Sequence, residues 1–231
     1  MKTLAAMFRY CLEPSGPKVR SAKERAVYIG YRADLLRYLR AAVATWARAE
    51  EITDLRTDQW ISEAGVLGLN PSGQRQTRKY RGVVPVPHQF APHLAAVEGN
   101  YLPIANICSA WDTMRKEIGL PSKRGEAGWK LIRRSVSTIA RRRIDEEHWR
   151  QGEIMLGHVR ASTSDIYALR DSAHPGRALA AIESIIDDIC ALVPGAFHRT
   201  GTATPPTTIK RMGAKRLISG VERVKGIEPS S

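Results

Sequence analysis

The chain has 231 residues, of which 43% are hydrophobic and 26% are charged, as in an ordinary globular protein. This length allows one domain of roughly 150–200 residues plus tails. Thirty-six Lys and Arg against 23 Asp and Glu give a net charge of +13. Such an excess favours nucleic acid over a small acidic metabolite as the partner, and a merely basic soluble protein is the alternative.

The cysteines, Cys11, Cys108 and Cys190, are odd in number, widely spaced and without a CxxC pair, so the sequence indicates neither a disulfide framework nor a zinc site. The histidines form no metal-ligand pattern such as HExxH. No apolar run approaches the roughly 20 residues of a membrane span, and the N-terminus lacks a signal-peptide pattern. We therefore expect a soluble, cytoplasmic protein without a metal or cofactor.

In chain order, residues 1–20 read as an apolar start followed by a Pro-Ser-Gly-Pro linker, and we interpret them as an N-terminal stub. Residues 21–51 have apolar positions three and four apart, which predicts a helix, or a helix pair broken around Gly30. Residues 65–70 and 81–87 read as two strands of a hairpin around a polar turn. They are the only β-structure that the sequence predicts.

Residues 88–120 are predicted as helical with a loop at Pro103, and further helices are predicted over 129–144 and 148–157. A final helix carries an apolar stripe from Leu179 to Leu192, which must pack against its own domain or against a neighbouring protomer. No periodicity survives after Pro194, so 194–231 is predicted to be a flexible basic tail. The resulting fold class is mainly α with a small antiparallel β-sheet (α+β).

Positive charge is concentrated in two segments that contain no acidic residue. The first, at the predicted hairpin turn, contains Arg75, Arg78, Lys79 and Arg81. The second, on the basic helix, contains Lys130, Arg133, Arg134, Arg141, Arg142 and Arg143. A spacing of three puts Lys130 and Arg133 on one helical face, where such a pair can hold a phosphate. A solvated helix face is the alternative, but such faces normally mix both signs of charge.

Four segments occur in the order of the motifs of tyrosine recombinases, the phage-integrase family. They are RAEEITDLRTDQW (48–60), RQTRKYRGVVPVP (75–87), KLIRRS (130–135) and LGHVRASTSDIYA (156–168). They resemble, respectively, the family's Arg-x-x-Glu segment, its lysine-bearing β-hairpin, its His-x-x-Arg box and its Leu-Gly-His…Tyr ending. The last is the most specific. The resemblance implies a recombinase catalytic domain over residues 21–193.

The resemblance implies that Tyr167 attacks a DNA phosphorus and forms a 3′-phosphotyrosine bond, without metal or ATP. Arg48 and Arg133, assisted by Lys130 and His158, would bind the non-bridging oxygens. Lys79 would protonate the leaving 5′-oxygen. The remaining DNA contacts would come from Arg75, Arg78, Arg81 and Arg134. The chain also lacks the GxxxxGK[ST] loop of an ATP site.

Two positions depart from the family pattern. Lys130 stands where the family most often has histidine, and it is a weaker proton shuttle at neutral pH. The family's usual Thr-Lys reads here as Thr77-Arg78, followed by Lys79, and an arginine is a poor general acid. We therefore assign the catalytic role to Lys79 and a phosphate contact to Arg78.

Each residue also has a structural interpretation when it is taken alone. Arg48 could cap a helix or pair with Glu51, which we interpret as structural in either case. His158 could be a structural hydrogen-bonding group, and Tyr167 a half-buried core tyrosine. Their joint occurrence in one order is what favours the recombinase interpretation. Its rivals are a type IB topoisomerase-like DNA relaxase and a non-catalytic DNA-binding remnant.

The implied partners are double-stranded DNA at the recombination sites of a bacterial or phage mobile element, and further copies of this chain. Assembly on DNA would use the final helix if its stripe docks in trans. Only about 20 residues precede the catalytic region, so the family's N-terminal DNA-clamping domain is not covered. We expect weak, salt-sensitive DNA binding from this chain, with no membrane association.

Overall fold

A computed structural model describes residues 1–13, 21–71, 73–75, 80–104, 106–121, 126–158 and 175–198. The chain is mainly helical with a small three-stranded antiparallel sheet, which confirms the α+β class in general. Over the described ranges the helices are α1 (Lys2–Leu12), α2 (Ala22–Thr45), α3 (Ala49–Thr53), α4 (Ala91–Ala95), α5 (Cys108–Glu117), α6 (Lys130–Ile144), α7 (Arg150–Met155) and α8 (Gly176–Leu192). The strands are β1 (Trp60–Ile61), β2 (Val66–Gly68) and β3 (Val83–Pro85), and Thr57–Gln59 form a short 3₁₀ turn.

Helix α2 is the central element of the core. Its N-cap is Ser21, whose hydroxyl accepts a hydrogen bond of 3.2 Å from the backbone N–H of Glu24. The helix continues through Gly30 without interruption, so the alternative of a helix pair is wrong. Leu35 and Leu39 are fully buried, and α1, α5, α6 and α8 pack around this half of the helix. This packing fixes the position of the C-terminal end of α2 and of the residues that follow it.

The predicted hairpin is present as β2 and β3, in which Leu67 pairs with Val84 and Val66 with Pro85. Strand β1 extends the sheet on the other side of β2, giving the order β1-β2-β3. The sequence did not predict β1, because two residues are too short to show a period of two. The hairpin brings the residues after its turn back to the region around α3.

Residues 88–120 are less helical than predicted. Among the described residues of this range, the helices are α4 and α5, and residues 96–104 after α4 form turns and irregular backbone. The basic helix over 129–144 and the short helix over 148–157 are confirmed as α6 and α7. No helix within the described ranges combines the length and the apolar character that a membrane crossing needs.

The apolar stripe of α8 packs within the same chain. Ile182, Ile185, Ile186 and Ile189 are fully buried, and the helix contacts α6, α2 and α7. Leu192, by contrast, is 47% exposed. The open question of cis or trans packing is therefore answered for this face in favour of cis. The apolar face of this helix is therefore covered by its own chain, while a contact between protomers through the helix stays a prediction.

Both predicted boundaries of the folded region need correction. Residues 2–12 form helix α1 rather than a stub, because Leu4, Met7 and Phe8 lie on one face and are buried against the core. Residues 194–198 do not begin a free tail. Phe197 is buried, and its ring lies 5.5 Å from that of Phe8. Residues 199–231 lie outside the described residues.

Candidate active site

Arg48 lies in a short turn between two helices. Helix α2 ends at Thr45, its C-cap residue Trp46 has a left-handed backbone with φ 54°, and α3 begins after Arg48. The Glu51 carboxylate accepts two hydrogen bonds from Arg48, each 2.5 Å long, one from the backbone N–H and one from Nη1. Glu51 is 2% exposed, so the Arg-x-x-Glu spacing buries a carboxylate directly beneath the arginine.

Arg133 reaches the same place from the first half of α6. Its Nη1 donates to the carbonyl oxygen of Trp46 at 2.7 Å and lies 3.9 Å from Oε2 of Glu51. Its Nη2 donates to the carbonyl oxygen of Leu156, at the end of α7. Glu51 is therefore the shared counter-ion of Arg48 and Arg133, two residues that are far apart in the sequence.

The end of the hairpin turn is tied to this pair through Tyr80. Its carbonyl oxygen accepts a hydrogen bond of 3.1 Å from Nη1 of Arg48. The same oxygen would lie 2.8 Å from a Cβ added to Gly157, and Gly157 itself has φ +60°. The glycine of the Leu-Gly-His motif is therefore required both by its backbone conformation and by this close approach. Tyr80 is the residue that follows Lys79 in the sequence.

A cleft of about 690 Å³ opens over the two arginines. Arg48, Lys130, Arg133, Arg134 and His158 line it, together with apolar side chains such as Trp129 and Leu156. The prediction that Lys130 and Arg133 share one helical face is confirmed by this arrangement. Lys130 and His158 are exposed, and Arg48 and Arg133 are half-buried. The backbone N–H of His158 donates to the carbonyl of Glu153 at 3.0 Å, which fixes the residue at the end of α7.

The cleft has an excess of positive charge at its base. Burial and the neighbouring Arg48 lower the pKa of Arg133 to about 10, and Glu51 opposes that change. Partial burial, Arg133 and Arg48 all lower the pKa of His158 from its ordinary value. The lowered pKa favours the neutral imidazole of His158, which can donate a hydrogen bond from one ring nitrogen. An anion bound here would relieve the repulsion among these groups.

Other basic residues differ in their surroundings. Arg75 and Arg134 are exposed, and Arg134 lies on the wall of the cleft. Arg81 is mostly buried and donates to Asp54 at 3.0 Å, so it attaches the hairpin to the end of α3. Arg141 and Arg143 form ion pairs with Glu146 and Asp188. The basic helix is thus partly neutralised at its C-terminal end.

Three of the predicted site residues, Arg78, Lys79 and Tyr167, lie outside the described residues. The structure brings the other four predicted catalytic residues, Arg48, Lys130, Arg133 and His158, to one cleft.

Sequence reasoning missed the main-chain carbonyls of Trp46, Leu156 and Tyr80, which hold the two arginines. Any residue type offers a carbonyl, so the sequence carries no signal for them. From the sequence alone, Glu51 was interpreted as structural. Its spacing of three residues from Arg48 was the only sequence feature that indicated its position between the two arginines.

The chain matches no protein family, and comparisons with curated proteins and with solved structures find no similar protein. Among the described residues, no group of three or more His, Cys, Asp and Glu side chains is arranged to hold a metal ion.

Proposed function

We propose that the chain is the catalytic domain of a DNA strand transferase of the tyrosine recombinase type, with Tyr167 as the nucleophile. One observation carries the proposal. Arg48, Arg133 and His158 converge on a single cleft around the buried carboxylate of Glu51. These residues come from segments that resemble three separate motifs of that family. Nothing in the composition of the chain requires those segments to meet.

The electrostatics of the cleft suit a phosphodiester in the transition state of transesterification. Arg48 and Arg133 share the buried carboxylate of Glu51, and with Lys130 and Arg134 against Glu50 the described lining of the cleft keeps an excess of positive charge. Within the described residues, Nη2 of Arg48 and Nε of Arg133 make no hydrogen bond. These N–H groups can bind the non-bridging oxygens, where negative charge increases as the fifth ligand joins phosphorus.

In the proposed reaction, the phenol of Tyr167 releases its proton to solvent as its oxygen attacks the phosphorus, and the bond from phosphorus to the 5′-oxygen breaks. Lys79, which precedes the Arg48-bound Tyr80 in the chain, gives its proton to that oxygen, so a free 5′-hydroxyl leaves. The phosphotyrosine bond keeps the energy of the broken phosphodiester. A 5′-hydroxyl of another strand can therefore attack it, release the tyrosine and complete the strand transfer.

The proposal is tested by covalent trapping. The full chain is incubated in EDTA with labelled, nicked DNA duplexes of randomised sequence, because a nick lets the 5′-hydroxyl fragment diffuse away. The products are denatured in detergent, and any adduct is digested and located by mass spectrometry. We expect an adduct on Tyr167 that is absent in Tyr167→Phe. Tyr31→Phe is the matched control, since Tyr31 is exposed and does not line the cleft.

The trapping experiment separates the rival functions. An adduct at another residue, or an equal adduct in Tyr167→Phe, would contradict the proposed nucleophile. DNA binding that depends on Arg134 without any adduct would favour a non-catalytic binding protein. Relaxation of supercoiled DNA by the monomeric chain would favour the topoisomerase-like function. Arg133→Gln should reduce the adduct by about 10²–10³-fold, the usual cost of losing one donor to a developing oxyanion.

A further inference from the structure

A second cavity, of about 630 Å³, shares no wall residue with the cleft. It lies between the end of α1, the middle of α2, the residues after α4 and the turn that follows α8. Its volume is within the range of about 300–1,000 Å³ that small-molecule sites occupy. The proposed DNA chemistry makes no use of it.

The charged walls of this cavity are mainly positive. Arg9, Arg37 and Arg40 face one carboxylate, Glu13, so the lining carries +2 when its two histidines are neutral. No described carboxylate lies within ion-pair distance, 4.0 Å, of Arg37 or Arg40. Glu13 lies 3.8 Å from Nε of Arg9, with both side chains largely exposed. Asp34, which is outside the cavity lining, feels the charge of Arg37, since Arg37 opposes the rise that burial causes in the pKa of Asp34. Within the described lining, Glu13 is the carboxylate, and it pairs with Arg9 rather than with Arg37 or Arg40.

Arg40 is held rigidly at the inner end of the cavity. Its Nε donates to the carbonyl of Ala196 at 2.6 Å, and its Nη2 to that of Gly195 at 3.3 Å. Its Nη1 lies 3.5 Å from Nδ1 of His93, whose Nε2 contacts the carbonyl of Phe197 at 2.7 Å. Two carbonyls and an imidazole engage three of the five N–H donors of Arg40, which leaves two donors for a ligand, and they do not cancel its charge. Burial accordingly lowers the pKa of Arg40.

The rest of the lining is apolar. Leu12, Leu36, Val97, Leu192 and Pro194 contribute to the walls beside the three arginines. A ligand that fits both parts must carry an anionic group and an apolar body. A phosphate monoester carries about −1.5 to −2 charges at pH 7 and matches the +2 lining better than a single carboxylate does. Guanidinium groups also bind phosphate oxygens in a bidentate geometry.

We propose that this cavity binds a small organic phosphate monoester, with the phosphate at Arg37 and Arg40 and the apolar body against Leu36 and Val97. The inference does not depend on the proposed recombinase function. Because the walls include both α2 and the turn after α8, a bound ligand would hold these two parts together and stabilise the folded chain. By binding to this cavity, the small molecule would regulate the stability of the folded chain.

Isothermal titration calorimetry on the DNA-free chain tests the site, with phenyl phosphate, inorganic phosphate and adenosine monophosphate as probes. The test variant is Arg37→Gln, because the Arg37 side chain makes no hydrogen bond within the described residues and the Tyr101 hydroxyl contacts only its backbone oxygen. The control is Arg134→Gln on the wall of the cleft. Thermal unfolding of each variant establishes that it is folded.

We expect saturable 1:1 binding of an organic phosphate, tighter than that of inorganic phosphate and weakened roughly tenfold in Arg37→Gln. Arg134→Gln should bind as the unchanged chain does. The proposal would be overturned by the absence of saturable binding, or by inorganic phosphate binding as tightly as both organic probes. A loss in Arg134→Gln instead of Arg37→Gln would also overturn it, because the ligand would then lie in the cleft.

Discussion

Arg133 donates a hydrogen bond of 2.7 Å to the carbonyl oxygen of Trp46, which precedes it by 87 positions in the sequence. Trp46 ends α2 in a left-handed conformation that costs a non-glycine residue about 1–3 kcal/mol. Its ring is fully buried and stacks on Trp149, at 6.3 Å between ring centroids, and this packing stabilises the turn. The strained turn aims a carbonyl at the arginine, so the end of α2 positions Arg133 as well as Arg48.

Glu51 should be essential for the stability of the chain. Glu51→Gln removes the shared counter-ion of two half-buried arginines, and breaking such a buried pair costs about 3–5 kcal/mol. We expect chemical denaturation to show a loss of this size in the free energy of unfolding. Glu63→Gln is the control, since Glu63 is exposed and should change stability by no more than about 0.5 kcal/mol. Equal stability of the two variants would contradict the shared ion pair.

The pKa of His158 should respond to an anion in the cleft. Partial burial and the two arginines lower this pKa. His158 therefore takes up its proton at a lower pH than an ordinary histidine does. Vanadate or sulfate bound near the arginines offsets their repulsion and should raise the pKa. Histidine NMR titrations with and without the anion measure the change.

His88 serves as the internal reference in the same titration, because it lies beside Glu183 and away from the cleft. At a fixed pH, the ring signals of His88 should be the same with and without the anion. An unchanged pKa of His158 at saturating anion would mean that the cleft does not bind the anion near this residue.

Two glycine substitutions should have opposite effects on stability. Gly157→Ala forces a side chain into a backbone with φ +60° and brings Cβ to 2.8 Å from the Tyr80 carbonyl, which should cost at least about 1–3 kcal/mol. Gly30→Ala adds a methyl group to an exposed position inside α2 with no atom within 4 Å, and should stabilise by about 1 kcal/mol. Thermal unfolding distinguishes the two signs. A neutral Gly157→Ala would show that the approach of Tyr80 to Gly157 is not tight.

Because α8 packs within its own chain, substitutions at two of its aliphatic positions should change the free energy of unfolding by very different amounts. Ile186→Ala removes a fully buried side chain and should cost about 2–5 kcal/mol. Leu192→Ala changes a side chain that is 47% exposed and should cost about 0.5 kcal/mol or less. Denaturant unfolding of the monomer provides both values. If Ile186→Ala left the monomer unaffected and abolished a dimer, the stripe would be an interface in trans.

Regular elements with a long apolar or basic pattern were predictable from the sequence. Helices α6 and α8 show the helical period over four turns or more, and the hairpin shows two apolar runs around a polar turn. Helix α1 was not predicted, because its 11 residues were interpreted as a short apolar start. The burial of Phe197 in the core could not be predicted from hydrophobic periodicity, because it results from a tertiary contact with Phe8.

The candidate site was predictable to the extent that it consists of side chains in recognisable motifs. Arg48, Arg133 and His158 were identified in this way, and they line one cleft. The ion pair of Arg81 with Asp54 was not predictable, because the two residues are 27 positions apart and meet only when the sheet has formed. The hydrogen bonds that the carbonyls of Trp46 and Leu156 accept depend on the direction of the backbone, which cannot be predicted from residue types.

The contact between Phe8 and Phe197 determines where this chain can be cut. A fragment trimmed to residues 21–193, the limits that the family resemblance implies, would lose both rings of this contact. It would also remove the carbonyls that hold Arg40 and the one that contacts His93. Expression of that fragment should therefore yield aggregated or protease-sensitive material. The smallest part that behaves as an independent folding unit has to keep both flanking segments, from Met1 to at least His198.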